Sequence, residues 1–152
     1  MPSSGDLMRK ALKKGLLPQL ASLGFSGKAS EFRRNRESVL DLVSIQWGRY
    51  GGEFILEFGS SEAGPMKTSW GEIVPEEKIT VAHLSVMKRA RLAPLTPSPG
   101  LQLHGFFFGD FGEDIAEYDK LAKSVSAMLV QVVSWLEDGS IGPNVRPFKT
   151  VA

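Results

Sequence analysis

Between Val39 and Phe58 lie two runs, Val-Leu-Asp-Leu-Val-Ser-Ile-Gln-Trp and Glu-Phe-Ile-Leu-Glu-Phe, joined by Gly-Arg-Tyr-Gly-Gly. Both runs alternate with period two, and a glycine-rich turn separates them, so the stretch predicts an antiparallel hairpin. Val43, Ile45 and Trp47 share one face of the first strand, and Phe54, Leu56 and Phe58 share one face of the second. An apolar surface of that size requires a cover. The opposite face carries Leu40, Leu42, Ser44, Gln46, Glu53, Ile55 and Glu57, a mixture that fits either a covering segment or a partner surface. Glu53 and Glu57 lie about 13 Å apart along an extended strand, too far to share a proton, and are expected at the surface.

Elements able to supply a cover flank the hairpin. Leu7, Met8, Ala11, Leu12, Leu16, Leu20 and Leu23 recur at helical spacing, so a helix is expected from about Gly5 to Leu23. Pro18 and Gly15 predict a bend within it, and Gly24 a stop. Its lysines are expected to be the solvated face, with a nucleic-acid or lipid contact as the alternative. Ile115, Tyr118, Leu121, Ala122, Val125, Met128, Leu129, Val132 and Leu136 form the apolar stripe of a second helix ending near Glu137. Asp110 and Glu113 resemble a capping box at its start.

Between these, Glu31 to Arg34 is expected to be a short edge strand protected by charge, with a local anion-binding patch as the alternative. Gly59 to Pro75 reads as a loop held down by Trp70 and Ile73. A turn or short helix near Glu76, a strand from about Leu84 to Leu92 and another from Leu101 to Phe108 complete the expected sheet. Asp138 to Ala152 is expected to be irregular, docked by Phe148 or Val151.

The chain has 152 residues, enough for one domain with a core. Its 18 basic and 17 acidic side chains nearly cancel, so attraction to nucleic acid or membrane would need a local patch. Cysteine is absent, which removes disulfides, thiolate catalysis and sulfur-ligated zinc. No run reaches the roughly 20 apolar residues of a membrane span. The opening Met-Pro-Ser-Ser-Gly-Asp leads straight into the first helix and does not resemble a secretory signal. A cytoplasmic location is the expectation.

Signatures of chemistry are sparse. No phosphate-binding glycine loop stands between a strand and a helix, and no Gly-x-Ser-x-Gly elbow occurs. His83 and His104 lack ligand spacing; a metal site would need them to meet with Glu76 or Asp110. Glu76-Glu77-Lys78, with Glu57, is a weak nuclease-like pattern. Arg33, Arg34, Arg36, Arg49, Lys88, Arg89 and Arg91, with Trp47 and Tyr50 flanking Arg49, suit either phosphates or a protein interface.

Several short blocks together resemble a bacterial family catalogued as domain of unknown function 4304. They are Leu-x-x-Leu-Gly-Phe at Leu20 to Phe25, Phe32 with Arg33 and Arg34, Ile45-Gln46, Gly-Gly-Glu-Phe, Phe58-Gly59, Arg89-Ala90-Arg91-Leu92 and Val133 to Glu137. The resemblance implies a small α+β domain with no established activity, and it carries Gln46, Arg89 and Arg91 as candidate polar positions.

These observations predict one α+β domain over residues 1–138 with an irregular tail, 139–152. Its core is an antiparallel sheet of about four or five strands, with the N-terminal and C-terminal helices on one face. The expected function is a non-catalytic protein-interaction module, of the kind that binds and neutralises a partner, or a homo-oligomer. It calls for no cofactor, and its candidate binding residues are Gln46, Trp47, Arg49, Tyr50, Arg89 and Arg91. The alternatives are a nucleic-acid or anion-binding domain and a metal-dependent hydrolase.

Overall fold

Ser3 begins the first element. Its Oγ accepts the Asp6 N–H at 3.1 Å while its own N–H donates to Asp6 Oδ2 at 3.2 Å, a reciprocal cap that starts α1, Ser4–Gly15. In the computed structural model, which describes residues 2–148, the expected bend is a break at Leu16. Pro18 falls in the first turn of the next helix, α2, Leu17–Ser22, where its missing donor costs nothing. Gly24 then turns the chain at φ +95°, a backbone that side-chain-bearing residues avoid.

The strands follow: β1, Ser26–Lys28; β2, Glu31–Arg36; β3, Val39–Trp47; β4, Glu53–Glu62; and a small separate hairpin, β5, Met66–Lys67, with β6, Ile73–Val74. Three single 3-10 turns at Glu76–Lys78, Val81–His83 and Val86–Lys88 lead into β7, Arg89–Leu92. Then come β8, Phe106–Phe107; α3, Ile115–Ala127; α4, Leu129–Asp138; and β9, Val145–Pro147. The main sheet is antiparallel in the order β1-β2-β3-β4-β7-β9, with β8 also paired to β4. Its seven strands exceed the expected number because the short segments β1 and β9 join it.

Register explains the core. Val43 lies opposite Phe58, Ile45 opposite Leu56 and Trp47 opposite Phe54, so the large side chains share one face. Phe32, Ala90 and Leu92 extend the same face across β2 and β7. The helices cover it: Met8, Leu12, Leu16, Leu20, Tyr118, Val125, Leu129 and Val132 are buried against these strands, and Trp135 meets Phe58 edge-on at 5.5 Å. Each fully buried large side chain contributes roughly 1.5–3 kcal/mol.

The second face is also covered. Leu40 and Leu42 are buried under Val74, Ile79, Val81 and Leu84. Arg33 fastens this cover by donating to the carbonyls of Glu76 (2.8 Å) and Ile79 (2.7 Å). Trp70 and Ile73 do not pin the intervening loop; both are exposed, and Val74 and Thr68 are the buried residues there. At the other end of this face Glu53, expected at the surface, is 1% exposed. Its carboxylate accepts N–H groups from Gln102 and Leu103 (both 3.0 Å) and Gly105 (2.9 Å). The chain wraps around that carboxylate, which is why the strand expected over Leu101 to Phe108 shortens to Phe106–Phe107. Gly100 packs so closely on Glu53 that a Cβ there would collide with the carboxylate.

Other boundaries shift for local reasons. The strand expected from Leu84 begins only at Arg89, because Ser85 Oγ caps a 3-10 turn by accepting the Met87 N–H. The last helix starts after Asp114 rather than at Asp110, and it breaks at Met128, whose N–H bonds to the carbonyl of Val125. Val145–Pro147, in the segment expected to be irregular, pairs with β7. Phe148 docks as expected, its ring 4.7 Å from the Arg91 guanidinium carbon and 5.6 Å from that of Arg89; Val151 lies outside the described residues.

β2 is not an edge strand, since β1 covers it, and its arginines serve the interior. Asp41 is fully buried between Arg34 (2.8 Å), Arg36 (2.6 Å) and the Ser60 hydroxyl (2.7 Å). Arg34 also reaches the carbonyl of Leu23 (3.3 Å), and Arg36 that of Leu136 (3.2 Å), tying the ends of α2 and α4 to the sheet. Burial alone would raise the Asp41 pKa, but the hydrogen bonds from Arg36, Ser60 and Arg34 outweigh it and hold the carboxyl below its usual value. Burial likewise opposes, and the three backbone donors reverse, the shift at Glu53, which is also lowered.

These anchors set the response of stability to substitution and to pH. Asp41→Asn removes the buried carboxylate shared by two half-buried guanidiniums, Arg34 and Arg36, and is expected to lower stability by about 2–3 kcal/mol in urea unfolding. Because both folded-state values are depressed, the stability from Asp41 and Glu53 is complete above the ordinary carboxylate range near pH 4. It falls as pH drops through the folded values, so the wild-type unfolding midpoint should decline below about pH 4, and less steeply in Asp41→Asn. Glu53→Gln is expected to cost about 2 kcal/mol. Amide exchange at Gln102, Leu103 and Gly105 should accelerate before any change in β3 or β4; unchanged exchange there would show that the loop holds without its carboxylate.

Candidate functional site

Strand register lines up one polar row on the face away from α1 and α3. Glu31 lies opposite Ser44, Ser44 opposite Glu57, Glu57 opposite Arg91, and Arg91 opposite Arg146. Ser44 Oγ donates to Glu31 Oε1 at 3.0 Å and accepts from Gln46 Nε2 at 2.7 Å. The carboxyl of Glu31 is partly desolvated against the sheet although the residue as a whole is exposed. That raises its pKa, against a smaller lowering by the Ser44 hydrogen bond. Glu57, expected at the surface, is 8% exposed. Arg91 Nη2 lies 3.4 Å and Arg89 Nη1 3.6 Å from its two oxygens.

The candidate binding residues therefore fall in three places. Gln46, Arg89 and Arg91 lie on this outer face, in the row or beside it. Trp47 points to the core side, against Phe54 and Phe108, with the Arg9 guanidinium 4.3 Å above its ring and its Nε1 donating to Ser30 Oγ at 3.3 Å. Arg49 and Tyr50 sit at the exposed turn, where the Arg49 N–H donates to Gln102 Oε1. Arg33, Arg34 and Arg36, weighed as cations for an anionic partner, are engaged with internal carbonyls and carboxylates.

The residues weighed for metal chemistry are dispersed. His83 Nδ1 accepts the Thr80 N–H at 3.0 Å, whereas His104 belongs to the loop wrapped on Glu53. Glu76 accepts the Gly64 N–H, and Glu57 is held by two arginines. Among the described residues no three His, Asp or Glu side chains are grouped to hold a metal ion.

A surface that the sequence did not reveal lies where α1 passes β1. There a cavity of about 500 Å³ opens, with Leu12, Leu17, Ile45 and Trp47 as its floor and Arg9, Lys13 and Lys28 at its rim. Among the described residues no acidic side chain lines it, and none of the three rim cations forms an ion pair. The outer edge of β1 beside it pairs with no other strand among the described residues. Period-3.6 reading places Lys13 on a solvated face, but only the fold brings Lys28 and Trp47 beneath it.

Among the described residues no helix is long and apolar enough to cross a membrane. No curated protein and no solved structure matches the chain. The family model described as "Domain of unknown function (DUF4304)" matches residues 16–138, from the break before α2 to the last residue of α4, and the chain belongs to that family.

Proposed function

We propose that this chain is a non-catalytic protein-interaction module that takes an acidic, partly apolar segment of its partner in the groove between α1 and β1. The surface first expected for this role, the outer face of the hairpin, is covered: Leu40, Leu42 and Ile55 are buried within the chain. The groove is the observation that carries the reading. Its floor is apolar, its rim is cationic, and it runs beside a strand edge that is unpaired among the described residues.

An extended segment laid along β1 would satisfy that edge's backbone groups and send alternate side chains into the groove, the geometry of strand addition. Apolar side chains would meet Leu12 and Trp47, while acidic ones would meet Arg9, Lys13 and Lys28. A second copy of the chain fits less well, since edge-to-edge pairing would bring two sets of these cations together. β1 has only three residues, so a short segment suffices, and the cationic rim would raise the rate of encounter.

The test uses the full chain, isotopically labelled, and a short peptide alternating Asp or Glu with Leu or Phe. Amide shifts are expected at Gly27, Lys28 and Ala29 and along α1. Affinity should fall on the order of tenfold in a Lys13→Glu, Lys28→Glu double variant, and again in about 1 M salt, where screening acts within about 3 Å. Both lysines are exposed, so the variant is expected to keep its fold. No shifts at β1, or equal binding of a lysine-for-acid version of the peptide, would overturn the reading.

A further inference from the structure

The geometry points to a second site at the opposite edge of the sheet: a pocket for the anionic group, phosphate or carboxylate, of a small organic molecule, bound by Arg91, Arg146 and His104. Arg91 and Arg146 face each other directly across the β7–β9 pair. Residues so placed have their Cα atoms only about 4.5–5.5 Å apart, and like charges there repel. One carboxylate, Glu57, already serves both Arg89 and Arg91, and Arg146 makes no ion pair among the described residues. The Nε of Arg91 is buried and lacks a hydrogen-bond partner among the described residues. Arg146 donates Nη1 to the carbonyls of Pro143 (2.7 Å) and Val145 (3.2 Å), so among the described residues three guanidiniums share one carboxylate, and an anion would balance the excess charge.

The same place has room. A cavity of about 540 Å³ is lined by Arg91, Arg146 and His104, with Leu95, Leu103 and Pro97 among its apolar walls and no acidic side chain among the described residues. That volume suits a small molecule. Guanidiniums suit oxyanions in particular, because their fixed N–H groups match two acceptor oxygens.

The site is also prebuilt. Its outer wall is the proline-containing loop after β7, which the Glu53 carboxylate gathers through Gln102, Leu103 and Gly105. Ser98 tightens the same loop, donating to the Gly105 carbonyl at 2.6 Å and accepting the Gly100 N–H at 3.1 Å. His104 is held at φ +50°, a conformation seldom adopted by residues with a side chain. The wrapping of Glu53 therefore fixes the backbone that presents His104 at the cavity, beside a sheet edge that presents the two arginines. This inference does not rest on the groove at β1, which lies at the far edge of the sheet.

Titration of the full labelled chain with phenyl phosphate tests the assignment, with inorganic phosphate and benzyl alcohol as comparisons. Amide shifts are expected at Arg91, His104 and Arg146, with phenyl phosphate binding more tightly than inorganic phosphate and benzyl alcohol producing no shifts there. Arg146→Gln should weaken phenyl phosphate on the order of tenfold. Arg146 is exposed, so its unfolding midpoint serves as the check that the fold is kept. His104→Asn, which keeps a residue tolerant of the left-handed backbone, should weaken binding as well. Absence of shifts at these residues, equal binding of phenyl phosphate by Arg146→Gln, or equal affinity for the two phosphates would overturn the assignment.

Discussion

Pairing of β3 with β4 in a single register is the constraint on which the rest of this structure depends. With Val43 opposite Phe58 and Trp47 opposite Phe54, a slip by one residue would turn every large side chain away from the helices. The same register fills the other face with Leu40, Leu42 and Ile55, which also leave water. A sheet apolar on both sides needs two covers. The helices form one, and on the other side residues 66–84 and 95–105 fold back over the hairpin.

Those second covers carry little regular structure, so carboxylates and guanidiniums hold them. Glu53 gathers one loop through three backbone N–H groups, and Arg33 holds another through two carbonyls. Asp41 does comparable work on the helical side, joining β2 and β3 through Arg34 and Arg36 to the ends of α2 and α4. Burying an ion is unfavourable unless its partners are complete. Each of these groups meets that condition, and each ties together segments distant in sequence.

With both sheet faces covered, the surfaces available for recognition move to the edges. At β1 an apolar groove carries cations that form no ion pair among the described residues; at β9 two arginines oppose one another beside a preformed loop. The two differ in chemistry. One suits an extended acidic chain and the other a compact anion. The residues that make them distinctive, Arg9 and Lys13 on α1 and Arg146 on β9, lie outside residues 16–138, the span matched by the family model. The matched span supplies six of the seven strands of the sheet, and α1 and β9 flank it.

The hairpin, its core face and both helical stripes were legible in the sequence because period-two and period-3.6 patterns are local and are repeated over many residues. The break near Pro18 was legible because one residue's covalent structure causes it. Glu53 and Glu57 were not, since a carboxylate in a strand looks exposed until its donors arrive from residues about fifty and about thirty-four positions away. The same distance hid both candidate sites. By itself the sequence determined the hairpin, the two helical stripes and which face of the hairpin is richest in apolar groups. Tertiary structure alone decided that the second face is covered, which charges are buried and which remain free, because those outcomes depend on contacts between segments that no local periodicity records.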